Sequence, residues 1–303
     1  MSATRDATAI VFLDGRFIAA SRARVSALDR GLLYGDGLFE TLRSYRGIPV
    51  AVDDHIARLR RAGERIRLRI PHSSAWWRRI ISELLRRNHL VSRDAAVRIT
   101  LTRGAGSEGL IPRRRCQPTL IITARSLPHD LARRRRNGVA VTLLPFHPGL
   151  GGLLRGIKTT AYLTAMMGKI LARERNAFEG IYQTPSGEIL EGTTSNLFLL
   201  DGREMATPPV NRGILGGITR QRILSIARRS AFRVHERTIH ARELLGSRAA
   251  FLTASTIEVM PIESVDGAHL TRSLLEVAEI QALFAASRDA ELALQRRTSP
   301  YID

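Results

Sequence analysis

The sequence predicts an α+β protein built in two lobes, and three observations carry that expectation. Short alternating apolar segments recur along the chain, bounded by turn pairs such as Asp-Gly and Arg-Gly. Helical periods come in separate blocks that do not alternate strictly with strands. A polar, irregular stretch, ARSLPHDLARRRRNG, separates the apolar runs PTLIIT and VAVTLLPF. With 303 residues and 44% hydrophobic content, the chain has enough apolar material for two cores. The division expected is a small N-terminal domain over 1–124, a linker over 125–133 and a larger domain over 134–303.

Taken in order, AIVFLDGRFIAASRARV alternates about Asp14-Gly15, a hairpin signal. GLFETLRSYRGIPVAV reads as a second strand pair about Arg46-Gly47. DDHIARLRRAGERIRLRI places Ile56, Leu59, Ala62 and Ile66 at a helical period, with Asp53 or Asp54 as its N-cap. A second helix is expected over roughly 73–87, then the strand AAVRITLTRG and the loop GAGSEGLIP. Beyond the linker come the glycine-rich HPGLGGLLRG, a helix over about 159–176, a series of short strands, a helix from ITRQRILSIARRS, and a last helix over about 271–295.

Charge and composition exclude several classes. The chain carries 47 basic and 28 acidic residues, a net charge of +19, yet the arginines are spread throughout. Only Arg113–Arg115 and Arg133–Arg136 form runs, and aromatic content is 5% without an RNA-binding signature. A solvated arginine surface is therefore expected, not a nucleic-acid site. The one cysteine, Cys116, excludes an intramolecular disulfide framework and fits a cytoplasmic protein. No apolar run reaches bilayer length, MSATRDATAI lacks a signal-peptide core, and the eight histidines show no metal-ligand spacing, so no metal is expected. His55 reads as a helix-surface residue, Trp76-Trp77 as helix packing, and Cys116 as non-catalytic.

Chemistry concentrates at two places. The chain holds two lysines, Lys158 and Lys169, among 47 basic residues. Lys169 sits within a helical pattern, whereas Lys158 lies between a glycine-rich loop and a helix start. A surface that needs only charge can use arginine, but a nucleophilic amine cannot, because guanidinium stays protonated. A Schiff-base lysine working on a pyridine cofactor needs an acid at the ring nitrogen, and Glu191, beside Thr193, Thr194 and Ser195, offers one. The cofactor's phosphate needs a helix N-terminus and an arginine, and GGITRQRIL offers Gly217, Ile218 and Thr219 at such an end.

E-G-T-T-S-N-L-F, then T-P-P, then I-L-G-G-I-T-R resembles the signature of the class IV aminotransferases, the fold-type IV pyridoxal-phosphate enzymes. DRGLLYGDGLFETLRSYRG, DHIARLRRAGERIRL and FLTASTIEVMPIESVDG resemble further parts of that family, which includes D-amino-acid and branched-chain aminotransferases and aminodeoxychorismate lyase. The resemblance implies a small N-terminal α/β lobe and a larger β-barrel-like lobe with helices. It implies that pyridoxal 5′-phosphate joins Lys158, with Glu191 at the ring nitrogen. The phosphate would be held by Arg58, Ile218, Thr219 and Ser255 or Thr256. Substrate contacts are implied for Phe39, Thr41, Arg98, Tyr162 and Ala254. A homodimer is implied, in which Leu33–Asp36 and the Gly104–Pro112 loop serve the partner's pocket.

Within the family the expectation is transamination between an amino acid and a 2-oxo acid such as 2-oxoglutarate or pyruvate. D-amino acids stand first and branched-chain L-amino acids next. GAGSEGLIPRRR lacks the Arg-x-His carboxylate trap of well-known bacterial D-enzymes, which leaves Arg98, Arg103, Arg43 or the Arg113–Arg115 run for the substrate carboxylate. Thr41 resembles a threonine that lyases use, which makes β-elimination of pyruvate from aminodeoxychorismate the alternative, although TAST lacks an asparagine common in lyases. A catalytically silent basic binding protein is the alternative of another class.

Overall fold

Asp14 and Gly15 take φ of 46° and 92°, and Arg46 and Gly47 take 45° and 84°. Paired positive φ values match the right-handed twist of the flanking strands, so each pair closes a tight hairpin. The first joins β1 (Ile10–Leu13) to β2 (Arg16–Ala19), and the second joins β3 (Gly37–Tyr45) to β4 (Ile48–Pro49). The computed structural model describes residues 9–113, 116–144, 152–270 and 273–298. They fall into two units, one comprising the chain to Leu127, Ile157–Tyr162 and the stretch from Glu291, the other Pro128–Gly156 and Leu163–Ala290.

In the first unit, β5 (Ala95–Thr102) and β8 (Thr119–Ser126) complete an antiparallel sheet of order β2-β1-β8-β5-β3-β4. The short pair β6 (Ser107–Glu108) and β7 (Ile111–Pro112) lies between them in the chain, following α1 (Arg30–Tyr34) and β3. Helices α2 (Val52–Arg65) and α3 (Ser74–Arg87) bury their apolar stripes with the sheet, joining Ile56, Leu59, Trp77, Ile81 and Leu84 to Phe12, Leu42 and Val97. Each such side chain contributes about 1.5–3 kcal/mol on burial. Ser73 caps α3 by accepting from the Trp76 N–H. The expected Asp53 or Asp54 cap on α2 is corrected: the N-cap lies two or three residues earlier, at Ala51 in left-handed conformation (φ 58°). Both aspartates fall instead in the first turn, where they face the positive end of the helix dipole.

The second unit is built on a ten-stranded mixed sheet of order β14-β13-β12-β16-β17-β9-β10-β11-β15, with β18 on β17, curled into a half-barrel. Its strands are β9 (Val139–Leu144), β10 (Glu179–Gln183), β11 (Glu188–Gly192), β12 (Asn196–Asp201), β13 (Glu204–Thr207), β14 (Arg233–Glu236), β15 (Ile239–His240), β16 (Ala249–Ala254), β17 (Glu258–Val265) and β18 (Ala268–His269). Strand β9 runs parallel to both β10 and β17. The helices are α4 (Leu131–Asn137), α5 (Leu163–Glu174), α6 (Ile218–Arg228), α7 (Ala241–Gly246) and α8 (Ser273–Thr298), the last belonging to this unit as far as Ala290. Phe198 and Phe251 stack at 4.9 Å in a core closed by Ile223 of α6 and Ile280 of α8. The α+β expectation therefore holds in both units.

Three boundaries differ from the sequence reading. The irregular 125–133 linker is occupied at its ends by β8 and α4, because Leu131 turns inward and Arg134 pairs with Asp130 one helical turn back. The helix expected from 159 begins at Leu163. Residues 157–162 instead belong to the first unit, since the Phe39 N–H donates to Lys158 O, the Thr160 N–H donates to Gly37 O, and Leu38 bridges Thr159. Lys158 is thereby moved from the larger expected domain to β3 of the smaller one. The first part of HPGLGGLLRG (147–151), Arg114, Arg115 and the opening MSATRDAT lie outside the described residues.

Candidate active site

Lys158 owes its place to that extended segment. With its backbone bonded to β3, its side chain reaches over β3 residue Phe39, with Nζ 4.4 Å from the ring centroid and 5.3 Å from the Tyr162 ring. Phe39 and Tyr162 meet edge to face at 5.0 Å, and Phe39 is 2% exposed. Arg98, on the neighbouring β5, places Cζ 3.7 Å from the same Phe39 ring and donates through Nε to Thr100 Oγ1 at 3.2 Å. Burial lowers the Arg98 pKa, with Tyr162 acting in the opposite sense. Thr41 is the register partner of Arg98 across β3 and β5. A primary amine, an arginine and a threonine thus stand along the Phe39–Thr41 stretch of β3 and its neighbours.

Arg58 lies in the same unit, in company the sequence did not disclose. Its Nε and Nη2 donate to Glu40 Oε1 and Oε2 at 2.8 and 2.7 Å, a two-bond fork. His55 Nδ1 stands 2.7 Å from Glu40 Oε2. Glu40 and His55 are each 1% exposed, so the helix-surface reading of His55 is corrected: the first turn of α2 faces β3. Burial pushes the Glu40 carboxyl up, but Arg58 and then His55 overcome that and bring it down to about 2. An ionised carboxylate can only accept, so His55 Nδ1 is the donor.

In the second unit, Glu191 is the penultimate residue of β11, half-buried, and both its oxygens accept the Leu215 N–H at 3.1 Å. Asn196 Nδ2 donates to Glu191 Oε2 at 3.1 Å and to Leu215 O at 2.8 Å. The other side of the same amide abuts Gly217, the N-cap of α6: a Cβ there would lie 2.1 Å from Asn196 Oδ1. Asn196 therefore ties the acid to the helix N-terminus. No side chain caps α6, and the first-turn N–H groups have no acceptor within the helix. Ile218 and Thr219 are both buried there. Thr253, opposite Asn196 across β12 and β16, buries an Oγ1 with no hydrogen-bond partner among the described residues. Ala254 follows it at the end of β16, and Ser255 and Thr256 stand in the turn before β17, all three half-buried.

Each unit by itself holds groups of the kind a phosphorylated pyridine aldehyde requires. A primary amine, an acid held by neighbouring amides, an uncapped helix N-terminus and an orphaned buried hydroxyl are the groups such a molecule needs. The predicted residues gather into two sets, Lys158, Arg58, Phe39, Thr41, Arg98 and Tyr162 in one unit and Glu191, Ile218, Thr219, Ala254, Ser255 and Thr256 in the other.

Comparison with known proteins decides the family, since the profile of the amino-transferase class IV family matches residues 37–265. The chain belongs to that family. Class IV aminotransferases depend on pyridoxal phosphate, and this chain is an enzyme of that kind. It is 33% identical to a putative branched-chain-amino-acid aminotransferase of Methanocaldococcus jannaschii, over 85% of this chain and 88% of the relative. It is 29% identical to an aminodeoxychorismate lyase of Bacillus subtilis, over 85% of this chain and 87% of the relative, and 31% identical to a D-alanine aminotransferase of Bacillus licheniformis, over 85% and 88%. Among solved structures, a hypothetical aminotransferase from Mycobacterium tuberculosis in its PLP-bound form superposes with a TM-score of 0.83 at 25% identity, covering 93% of this chain and all of that one.

Sequence reasoning missed Glu40, Asn196 and Glu179. Asn196 stood inside the quoted signature without a role. Glu40 lies within β3 and Glu179 opens β10, each an acid next to apolar strand residues, a signal that a buried cation or a set of donors must lie opposite.

Proposed function

We propose that the chain is a transaminase that moves an amino group between an amino acid and a 2-oxo acid such as 2-oxoglutarate or pyruvate, with D-amino acids first and branched-chain L-amino acids next. The observation that carries this reading is that Arg98 and Lys158 both approach the Phe39 ring, with Cζ at 3.7 Å and Nζ at 4.4 Å from its centroid. A guanidinium there holds the substrate carboxylate while the amine works at Cα. Pyridoxal phosphate, when bound, supplies the electron sink for the Cα–H bond. Lys158 carries the cofactor, and once displaced its Nζ takes up the Cα proton. Glu191 keeps a proton at the ring nitrogen. Ile218 and Thr219 with Ser255 or Thr256 hold the phosphate, together with Arg58, which Glu40 keeps oriented. Phe39, Tyr162 and Ala254 line the substrate side.

The test is the absorption spectrum of the purified protein with D-alanine, D-glutamate and L-leucine in parallel. The expected result is loss of the lysine–cofactor band with the D-donors and its return with a 2-oxo acid. Conversion by L-leucine alone moves the enzyme to the branched-chain group, and a colourless protein unable to take up cofactor sinks the reading. Arg98→Ala is expected to raise KM for carboxylate substrates about tenfold or more with a smaller change in kcat, the loss of one charge-assisted pair. An unchanged KM removes Arg98 from the substrate.

A second reading rests on Thr41, which the ladder sets opposite Arg98. A hydroxyl at that place suits elimination of pyruvate from aminodeoxychorismate, and production of 4-aminobenzoate would select it.

A cytoplasmic homodimer is part of the proposal. In the first unit Leu32, Leu110 and Ile111 are 71%, 76% and 73% exposed, and Arg30 fixes that loop by donating to Leu110 O at 2.8 Å. No described helix is long and apolar enough to cross a membrane. Light scattering is expected to give twice the 33.6 kDa chain mass. A mass of one chain would rule the dimer out, and Leu110→Arg with Ile111→Arg is expected to produce it.

A further inference from the structure

The hydroxyl run Thr193-Thr194-Ser195 and the second lysine, Lys169, have no task in the reading above, yet both converge on one acid. Glu179 opens β10 with no exposed surface. Its Oε1 accepts from the Thr193 hydroxyl, from the Gly180 N–H at 3.0 Å and from Lys169 Nζ at 3.0 Å. Its Oε2 accepts from Thr194 Oγ1 at 2.9 Å and Ser195 Oγ at 3.1 Å. A carboxylate withdrawn from water persists only when such partners replace the lost hydration. Lys169 also donates to Phe178 O at 2.9 Å, so a compact ammonium is held at both acceptors, a task a planar guanidinium fits poorly.

The three hydroxyls lie on the turn that joins Glu191 to Asn196. The Gly192 N–H donates to Ser195 O at 2.7 Å and the Thr193 N–H to Gly180 O at 3.0 Å, closing that turn onto β10. Gly192 is required for the approach: a Cβ would lie 2.3 Å from Ser195 Oγ and 3.0 Å from Glu179 Cγ. Tyr182, two residues after Gly180, feels both acids: burial first, then Glu179 and Glu191, push its phenol up to about 12.

We propose that Glu179 is the positioning residue for Glu191: it gathers the Thr193, Thr194 and Ser195 hydroxyls so that the turn presents Glu191 and Asn196 in fixed register, with Lys169 balancing its charge. This rests on the reading that Glu191 partners the cofactor ring. The sheet alone does not hold the register, because the β10–β11 ladder shifts between Ile181 and Gln183, just beside the turn.

The test is a double-mutant cycle on the full chain, titrated with pyridoxal phosphate, reading cofactor affinity and the pH midpoint of the bound-cofactor spectrum. Glu179→Gln is expected to weaken affinity about tenfold and move the midpoint in the same direction as Glu191→Gln. In the Glu191→Gln background the same substitution is expected to change either quantity by no more than about twofold. Thr194→Ser is expected to retain wild-type values and Thr194→Val to repeat part of the loss. An equal loss in both backgrounds marks Glu179 as merely structural and overturns the proposal, as does no loss at all. Should Glu179→Gln fail to fold, Thr194→Val with Ser195→Ala carries the same cycle. A wild type that takes up no cofactor defeats the reading of Glu191 and this proposal together. A wild type and Glu191→Gln that behave as expected beside an inert Glu179→Gln defeat this proposal alone.

Discussion

Lys158→Ala is expected to remove the lysine–cofactor absorbance band and to lower turnover by at least about a thousandfold, because no other group in the chain can replace a nucleophilic, proton-accepting amine at that place. The chain's positive charge is otherwise arginine apart from Lys169, and Lys169 is engaged by Glu179 in the second unit. The backbone of 158 is fixed by bonds that do not involve its side chain, from the Phe39 N–H to Lys158 O and from the Thr160 N–H to Gly37 O. Truncation therefore leaves the segment in place, and thermal melting of the apo variant is expected to match the wild type. Lys158→Arg separates charge from chemistry: guanidinium keeps the cation beside Phe39 but cannot form the Schiff base, so it is expected to be as inactive as the alanine variant. Borohydride reduction of the wild-type holoenzyme followed by peptide mass analysis is expected to find the cofactor on Lys158. Turnover surviving in either variant would take the reaction away from this residue.

The two hairpins and the helix α2 were legible because their signals are local. Asp14-Gly15 and Arg46-Gly47 set positive φ by themselves, and Ile56, Leu59 and Ala62 mark a helical face without reference to the rest of the chain. What the sequence did not disclose depends on contacts across long separations. In sequence, residues 159–162 read as the start of a helix, but edge bonding to β3 draws them out of it, and that bonding spans 119 to 123 positions of chain between Phe39 and Lys158 or Gly37 and Thr160. Ala51 caps α2 in place of an aspartate because its N–H finds Glu291 Oε1, 240 residues away. The candidate site divides along the same line. Lys158 stood out by scarcity and Glu191 by its signature, whereas the partner of Arg58 and the target of the Thr193–Ser195 run are acids inside strands, recognisable only once the strands are paired.

Glu40→Gln is expected to cause the largest loss of stability of any substitution near the site. Glu40 is 1% exposed and holds two cationic or polar partners, Arg58 by a fork and His55 through Nδ1. Removing its charge leaves the Arg58 guanidinium largely buried without its counter-ion, a change that costs about 3–5 kcal/mol. The pH dependence gives the sign. The Glu40 carboxyl titrates near 4.5 when unperturbed and about 2 in the fold, so its contribution is fully present above the unfolded value and fades as pH falls from about 4.5 toward 2. Urea midpoints measured from neutral pH downward are therefore expected to show a wide gap between wild type and Glu40→Gln at pH 7 that narrows below about pH 4.5. A gap of constant width down to pH 3 would place the stability elsewhere than in this charge. Affinity for pyridoxal phosphate is expected to fall in the same variant at neutral pH, since Arg58 loses the fork that aims it. An unaffected affinity would mean that the guanidinium grips no phosphate, and that the Glu40–His55–Arg58 cluster serves only to join α2 to β3.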